Sequence, residues 1–353
     1  MVHPACPNIL SQTPHVRRSG FPRRGAGQSG LSLVELMVAM VIGLILVGGA
    51  IQIFLGTSQT YRLTESLSRM QEDGRFALDQ LNHDLRHVGF RGGCQGEIQN
   101  LLDEDDSKYD ASFFDLDDAI EGWNGVKGKA PDDYVAGTDV FVIKHAANIT
   151  GLAASGNTGQ NSANINLQNK NSGVPQGTIV VVGDAESCDM FQNTANENAG
   201  NLNRGAGGAG ISPGNKKGNQ EFSKAYSGDL NIFTITSHLY YIGTQNGQRA
   251  LRRVSYDRGF TVTPPNDEII LGVWDMQITY LLRNGTEYVD ADAVGNNWRD
   301  VIAVRVSLLL HSEHNNLADA PMVLPYNGAA FTAPDRRLYQ VFTTTVALRN
   351  RLP

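Results

Sequence analysis

Residues 30–55 read GLSLVELMVAMVIGLILVGGAIQIFL, and this stretch decides the fold. After Glu35 it contains no charged side chain. As a helix, residues 31–55 would be ~37 Å long, which is enough to cross a bilayer. A carboxylate is costly within such a helix, so Glu35 is a candidate functional residue.

Charge is distributed unevenly around this stretch. The first 30 residues carry four arginines and no acidic residue, whereas the whole chain of 353 residues has a formal net charge of −7. By the positive-inside rule, the basic leader stays in the cytoplasm and residues 56–353 lie across the membrane. An acidic body argues against nucleic-acid binding, which needs a basic surface. The sequence shows no phosphate loop, nucleophile elbow or dinucleotide fingerprint, so we expect neither a cofactor nor enzyme activity.

The string GLSLVEL at residues 30–36 follows a basic leader and opens an apolar helix, with the acid five positions after the glycine. This order resembles the cleavage motif of type IV prepilins and type II secretion pseudopilins. The resemblance implies that a prepilin peptidase cuts between Gly30 and Leu31 and methylates the new amine of Leu31. It also implies that Glu35 pairs with the N-terminal ammonium of a neighbouring subunit, which avoids burying either charge alone.

Two residues depart from the commonest form of the motif. Leu31 stands where phenylalanine is most frequent, and Gln52 stands near the position where major subunits often carry a proline. The alternatives are a plain single-pass anchor in which the acid is incidental, and a twin-arginine signal at Arg17 and Arg18.

The helix is predicted to continue beyond the membrane segment. No proline occurs in residues 31–88, and three glycines follow within the next five residues, so we predict one helix over 31–88. In its second half, apolar or small residues recur every three or four positions and form one helix face. These residues are Leu63, Leu67, Met70, Gly74, Ala77, Leu81, Leu85 and Val88.

One pattern in this helix is similar to a zinc motif. His83 and His87 are four residues apart, as in the H-E-x-x-H helix of metalloproteases. Asp84 replaces the glutamate that acts as general base there, and no third ligand follows nearby. We therefore expect surface histidines and no metal.

Beyond residue 88 the apolar period changes to two, which indicates strands. Alternation is clearest at residues 302–310, and Asn246-Gly247 is a hairpin turn signal. We predict an α+β fold in which the long helix packs across an antiparallel sheet with one buried face. The candidate strands are residues 140–144, 178–182, 231–242, 250–256, 276–282, 302–310 and 340–348.

The predicted organisation is a cleaved leader at 1–30, a helix at 31–88 and a β-rich head at 89–353. The first half of the helix, 31–55, would lie in the membrane or the filament core. Two Asn/Gly/Ser-rich stretches of the head, 147–176 and 193–220, are predicted to be exposed, variable loops, with an adhesin site as the alternative. The acidic residues between positions 103 and 118 are expected to form a solvated loop, with calcium binding as the alternative.

The chain has three cysteines, Cys6, Cys94 and Cys188, and removal of the leader would leave two. In an oxidising periplasm a Cys94–Cys188 disulfide would close a loop of about 95 residues, worth ~4.5 kcal/mol in the chain-entropy model.

Three further patches carry a more particular resemblance. They are RFALDQLNHDLRHVGFRGGC at 75–94, WRDVIAVRVSLLL at 298–310 and RRLYQVFTTTVALRN at 336–350. They are similar to the corresponding parts of PilW-type minor pilins.

That resemblance implies a minor pilin that primes assembly of a type IV pilus and sits near its tip, in support of twitching motility, adhesion or DNA uptake. It implies an inner-membrane location before assembly and the cell surface afterwards. The implied partners are prepilin peptidase, other minor pilins, the major pilin, the inner-membrane assembly platform and a tip adhesin. A tip pseudopilin of a type II secretion system is the main alternative, and a membrane-anchored enzyme is another.

Overall fold

The computed structural model describes residues 30–148, 151–208, 210–218, 221–228 and 230–352. The predicted leader, including Cys6, Arg17 and Arg18, lies outside these residues except for Gly30. The chain divides into two compact units, the first ending at Ser58 and the second beginning at Gln59. A long helix, α1 (Leu33–His87), begins in the first unit and ends in the second.

In the first unit, α1 begins with a serine cap. The backbone N–H of Glu35 donates to Oγ of Ser32 at 3.2 Å, which satisfies an amide that would otherwise be unpaired at the helix start. From Leu31 to Leu55 the large apolar side chains are exposed. This part of α1 is long and apolar enough to cross a membrane.

In the second unit, one face of α1 packs into the core. Met70, Ala77, Leu81 and Leu85 are buried there, as the apolar stripe predicts. Gly74 lies on the same face, and a Cβ built on it would be 2.5 Å from the ring of Phe342. Glycine at this position therefore permits close contact between the helix and that ring.

The remaining regular structure of the second unit consists mainly of strands. The described residues contain β1 (Ile98–Asn100), β2 (Ile120–Trp123), β3 (Val140–Asn148), β4 (Asn164–Asn166), β5 (Ile179–Gly183), β6 (Cys188–Gln192), β7 (Asn201–Asn203), β8 (Asn231–Gln245), β9 (Gln248–Ser255), β10 (Asn266–Leu271), β11 (Val273–Leu282), β12 (Tyr288–Val289), β13 (Val301–His311), β14 (Val323–Tyr326), β15 (Ala329–Thr332) and β16 (Tyr339–Ala347). The short helices are α2 (Ala111–Phe114) and α3 (Ala291–Val294), with 3-10 turns at Trp298–Asp300 and Arg349–Arg351.

The first main sheet has the strand order β1-β6-β5-β8-β3-β2, with β9 paired to β8 and β10 paired to β9. Its pairings are antiparallel except for β1 with β6, which is parallel. Phe141 and Ile143 point into the core that contains α1, whereas Val140 and Val142 point into a second apolar cluster with Phe113 and others. Both faces of β3 are buried, which differs from the prediction of one buried face.

The second main sheet has the order β12-β11-β13-β16, and all its pairings are antiparallel. In β13, Val304, Val306 and Leu308 are fully buried in the core that contains α1, and Arg305 between them is exposed. The α+β class is confirmed, with antiparallel pairing dominant. The strands form two main sheets where the alternating pattern indicated one.

The hairpin between β8 and β9 is the one that the sequence predicts. Asn246 and Gly247 are its two loop residues, with φ angles of 54° and 76°. Positive φ at both positions is typical of a type I′ turn, whose twist matches that of paired strands.

The Asn/Gly-rich stretches are more buried, in their described parts, than their composition indicates. Ile165, Leu167 and Leu202 belong to an apolar cluster on the first sheet, and β4 pairs with β7. Buried amides add to this packing: Gln192 Oε1 accepts from the N–H of Gly214 at 2.6 Å. The prediction of simply exposed loops was therefore wrong in part, because amide side chains here bond to backbone groups.

Candidate functional site

Residues Gly30, Leu31 and Glu35 lie at the start of α1 in the first unit. Glu35 is exposed and occupies the first helical turn, where the helix dipole favours a negative charge. Ser32 and Glu35 also have the S-x-x-E spacing of a capping box. The acid therefore has a local structural role available to it in addition to the predicted pairing with a neighbouring subunit.

Near the other end of α1, a buried carboxylate joins the helix to the first sheet. Asp84 is only 5% exposed and lies beside the apolar stripe. Its Oδ2 accepts hydrogen bonds from the Tyr240 hydroxyl and from Nδ1 of His238 at 3.0 Å. Its Oδ1 lies 3.1 Å from Nδ1 of His83. Both Tyr240 and His238 are on β8, so these contacts fix one helical turn to one strand.

The contacts of Asp84 determine its own pKa and that of Tyr240. Burial on its own would raise the pKa of the Asp84 carboxyl, but the hydrogen bonds from His238, Tyr240 and His83 outweigh it and hold that pKa well below its usual range. Asp84 is therefore ionised at neutral pH. The pKa of the Tyr240 hydroxyl is raised by burial and by the charge of Asp84, so Tyr240 remains a donor.

His87, the other histidine of the zinc-like pattern, lies against a histidine that the sequence did not associate with it. Its ring centroid is 4.9 Å from that of His83 and 5.4 Å from that of His145 on β3. His83 and His87 are exposed, whereas His145 is 9% exposed. Burial lowers the pKa of His145, so its ring is neutral at pH 7.

A disulfide joins Cys94, in the loop after α1, to Cys188 at the start of β6, with their Cα atoms 6.1 Å apart. This is the pairing that the sequence predicts. It connects the segment that leaves the helix to the edge region of the first sheet.

The acidic residues between positions 103 and 118 are largely engaged with protein groups. Asp110 caps α2 by accepting from the N–H of Ser112 and also pairs with Lys129. Asp117 pairs with Arg91, and Asp118 with Arg299. Within the described ranges, no three His, Cys, Asp or Glu side chains are grouped so that they could hold a metal ion.

An open cleft of about 700 Å³ lies between α1 and β10 in the second unit. Charges of both signs line it, including Arg69, Asp73, Glu268 and Arg337. In the described part of the chain, β10 pairs with β9 along one side. A strand edge beside a charged cleft is a surface suited to contact with another protein chain.

The sequence predicted the limits of α1 to within two residues and the cysteine pair, but not the partners of Asp84. The sequence signal that could have identified a buried acid is the position of Asp84 beside the apolar stripe, next to Leu85. Nothing in the local sequence points to His145, His238 or Tyr240, because their positions depend on how the strands pair.

Comparison with known proteins finds one match near the N-terminus of the chain and another in its C-terminal third. Residues 25–51 match the family model of the prokaryotic N-terminal methylation motif. The described part of that match, 30–51, is the capped start of α1 and most of its exposed apolar segment. These features are typical of prepilin-like proteins.

Residues 239–350 match the family model described as type IV pilus-assembly protein W. That range runs from the second half of β8 through β16 and includes the whole second sheet. Over these two ranges the chain is similar to prepilin-like proteins of the PilW type, and the families that it matches are pilus structural and assembly proteins rather than enzymes. No curated protein and no solved structure gives a significant match.

Proposed function

We propose that this protein is a minor pilin that primes assembly of a type IV pilus and is incorporated near its tip. The observation that carries the proposal is the presence, on one chain, of the methylation-motif match at 25–51 and the PilW match at 239–350. A helix with exposed apolar side chains from Leu31 to Leu55 fits the same role, because a pilin buries this segment in the membrane and then in the filament.

Processing precedes assembly in this proposal. Prepilin peptidase cuts between Gly30 and Leu31 and methylates the new amine of Leu31. Both residues precede the Ser32 cap, so the cut falls outside the hydrogen-bonded part of α1. Cleavage there leaves the helix start intact and places a new positive charge close to it.

Before assembly the chain crosses the inner membrane once, with residues 31–55 in the bilayer and residues 89–353 in the periplasm. The Cys94–Cys188 disulfide supports this placement, because such bonds persist in oxidising compartments. After assembly the head is displayed on the cell surface.

Within the filament, the Glu35 carboxylate pairs with the N-terminal ammonium of a neighbouring subunit. Exposure of Glu35 in the isolated chain supports this role, since its charge is available to another subunit. The partners are prepilin peptidase, the other minor pilins, the major pilin, the assembly platform and a tip adhesin.

The decisive test is intact-mass spectrometry of the membrane-extracted protein from cells with and without prepilin peptidase. We expect a chain that begins at Leu31 with one added methyl group, and only when the peptidase is present. A chain that retains its leader in both strains would contradict the proposal. Deletion of the gene should abolish twitching or DNA uptake, whereas a loss of exoenzyme secretion alone would favour a pseudopilin.

A further inference from the structure

The last strand of the second sheet, β16 (Tyr339–Ala347), has a neighbouring strand on one side only. Among the described residues it pairs with β13 alone, at the end of the order β12-β11-β13-β16. The pairing runs from Ala303 with Ala347 to His311 with Tyr339 and contains no bulge. β16 therefore presents a regular, open edge along its nine residues.

Two hydrogen bonds at the ends of β16 identify the free backbone groups of this edge. The N–H of Leu348 donates to the carbonyl of Ile302 at 2.8 Å, and the N–H of Ser312 donates to the carbonyl of Leu338 at 2.8 Å. Because residues of an antiparallel pair bond in alternation, the even-numbered residues of β16 bond to β13 and the odd-numbered residues point their N–H and C=O groups away from it. Within the described ranges, four such residues form no backbone hydrogen bond along the edge: Val341, Thr343, Thr345 and Ala347.

The other end strands of the two main sheets are protected against strand pairing. Open edges attract strands of other chains, so proteins keep them short or place bulges and charges on them. Of the described end strands, β1, β2 and β12 are only two to four residues long. β10, beside the cleft described above, has a bulge between Glu268 and Ile270 and carries the exposed Asp267. The sequence of β16, YQVFTTTVA, contains no charge, proline or glycine, so its edge lacks this protection.

Arginines gather where β16 ends. Arg349 directly follows the strand and is exposed. Nδ2 of Asn350 donates to the carbonyl of Arg86 at 3.5 Å, which places the end of α1 beside this turn. An open cleft of about 440 Å³ lies at the same end of the sheet, and four more arginines line it together with Asp117. These arginines are Arg91, Arg283, Arg299 and Arg351.

Aspartates balance only part of this positive charge. Asp117 pairs with Arg91, and Arg299 pairs with two further aspartates, at positions 115 and 118. Arg283 lies 3.9 Å from the carboxylate of Asp300. Six arginines against these four aspartates leave this end of the sheet net positive, on a chain whose formal net charge is −7.

We propose that the edge of β16 binds an extended segment of another protein, which pairs as a fifth strand of the second sheet and carries acidic side chains beside Arg349. The outward groups from Val341 to Ala347 span roughly 20 Å, which suits a strand of about seven residues. Main-chain hydrogen bonds supply affinity for any extended segment, whereas the arginines select one that is acidic at the matching end.

A second copy of this chain fits the edge less well. In an antiparallel pair of β16 strands, the Arg349 end of one copy would meet the Tyr339 end of the other, which Arg336 and Arg337 precede. In a parallel pair, the two Arg349 ends would meet. Both arrangements bring like charges together, which destabilises cross-strand pairs. The leader of the chain is excluded by the same argument, since it carries four arginines and no acid.

The test uses the full chain in detergent and a synthetic peptide as the probe. The capped, fluorescent peptide alternates threonine and valine and ends in two glutamates, so that either strand direction can bring the acids to Arg349. Fluorescence anisotropy should show saturable binding at one site per chain. Lysines in place of the glutamates should weaken binding by about tenfold or more. N-methylation of the threonine and valine amides, which removes the donors but keeps the charge, should abolish binding.

Variants of the protein locate the binding surface. Thr343→Pro removes an outward N–H but no hydrogen bond to β13, so the head should remain folded while affinity falls by about tenfold. Arg349→Glu reverses a charge beside the edge without altering the strand, and it should weaken the acidic peptide by about two- to tenfold. Arg62→Glu is the matched control, because this exposed arginine lies on α1 about 36 Å before Arg86, and its affinity should equal that of the wild type.

Hydrogen–deuterium exchange and sedimentation complete the test. The bound peptide should slow amide exchange over residues 339–348 and leave β10 unchanged. Absence of binding, protection at β10 instead, equal affinity for the acidic and lysine peptides, or an Arg349→Glu variant that binds as the wild type does would each overturn the proposal. A wild-type dimer that Thr343→Pro separates would also overturn it and assign the edge to a second copy. None of these measurements requires cleavage at Gly30 or a pilus, so this inference goes beyond the proposed function and stands or fails separately from it.

Discussion

The carboxylate of Asp84, one turn before the end of α1, accepts a hydrogen bond from Nδ1 of His238 in the middle of β8 at 3.0 Å. The Tyr240 hydroxyl, two residues further along the same strand, donates to the same oxygen. Apolar packing can hold a helix against a sheet in several registers, whereas a buried charge with fixed donors accepts only one. We infer that these contacts set the position of α1 along β8.

Replacing Asp84 should therefore destabilise the head strongly. Asp84→Ala leaves the buried donors of His238 and Tyr240 without an acceptor, and we expect the free energy of unfolding to fall by ~2–4 kcal/mol. Urea denaturation at pH 7 measures this. The exposed Asp79 on the same helix is the matched control, and Asp79→Ala should change the free energy by less than ~0.5 kcal/mol.

The difference in unfolding free energy between wild type and Asp84→Ala should depend on pH, because the pKa of Asp84 is lowered in the folded state. A group whose pKa is lower in the folded state contributes stability above its unfolded value, here 3.8, and loses it as the pH falls toward the folded value. The gap between wild type and Asp84→Ala should be constant from about pH 5 to 8 and shrink only in stronger acid. A gap that widens below pH 5 would contradict the assigned ionisation.

The stability that Asp139 contributes should depend on pH in the opposite direction to that of Asp84. Burial is the main cause that raises the pKa of its carboxyl to about 6. The hydrogen bonds from the N–H groups of Ile278 and Gly125 lower that pKa but do not offset the burial. Because its folded pKa lies above its unfolded value of 3.8, its contribution to stability falls as the pH rises from about 4 to about 6. The loss should be on the order of 2–3 kcal/mol.

Asp139→Asn tests this by removing the titration. Its amide cannot accept both backbone hydrogen bonds, so the variant should be less stable overall, yet its stability should depend less on pH between 4 and 7. Chemical denaturation of both proteins at several pH values gives the two slopes. Parallel curves would show that Asp139 does not titrate in this range.

At Gly74, packing against Phe342 outweighs the preference of a helix for alanine over glycine. Glycine to alanine within a helix normally adds up to ~1 kcal/mol of stability. Here the new Cβ would lie 2.5 Å from the Phe342 ring, so we expect Gly74→Ala to lower stability by about 1–3 kcal/mol. In a Phe342→Ala background the same substitution should become neutral or favourable. A double-mutant cycle measures this coupling, and additive effects would contradict the proposed contact.

The sequence predicted elements whose signals are local. The stripe from Met70 to Leu85 follows from helical periodicity, and the Asn246-Gly247 hairpin follows from the φ angles that its two residues favour. The cysteine pair was predictable by counting, since only Cys94 and Cys188 remain beyond the leader.

The parts that were not predictable depend on contacts between distant segments. Asp84 is 154 residues from His238 and 156 from Tyr240, so the partners become visible only once the strands are ordered. Alternation within β13 identifies its buried face but does not say to which sheet the strand belongs. The burial of Ile165 and Leu202 was missed for a related reason. Composition alone indicates that the backbone groups of these stretches would have no hydrogen-bond partners if they were buried, whereas the surrounding amide side chains bond to them.

The disulfide should contribute a large part of the stability of the head. Removing it in the double variant Cys94→Ser/Cys188→Ser is expected to cost ~2–5 kcal/mol. Wild type treated with reductant should unfold at the same denaturant concentration as this variant, and reductant should leave the variant unchanged. In the chain that retains its leader, Cys6→Ser leaves the pair intact and is the control. A wild type whose stability is insensitive to reductant would contradict a structural role for the bond.

The charge of Glu35, rather than its place in the helix cap, should control entry into filaments. Glu35→Gln keeps the side-chain size and Glu35→Val makes the segment more apolar, so both variants should insert into the membrane normally. Both should be depleted from sheared filaments, because the ammonium of a neighbouring subunit would then be buried without a counter-charge. Ser32→Ala is the matched control, since it removes the cap contact to the N–H of Glu35 but keeps the carboxylate. Immunoblots of membrane and filament fractions measure incorporation, and intact-mass spectrometry verifies that every variant is processed equally. If Glu35→Gln enters filaments as the wild type does while Ser32→Ala is excluded, the acid acts through the helix start, and the pairing between subunits is wrong.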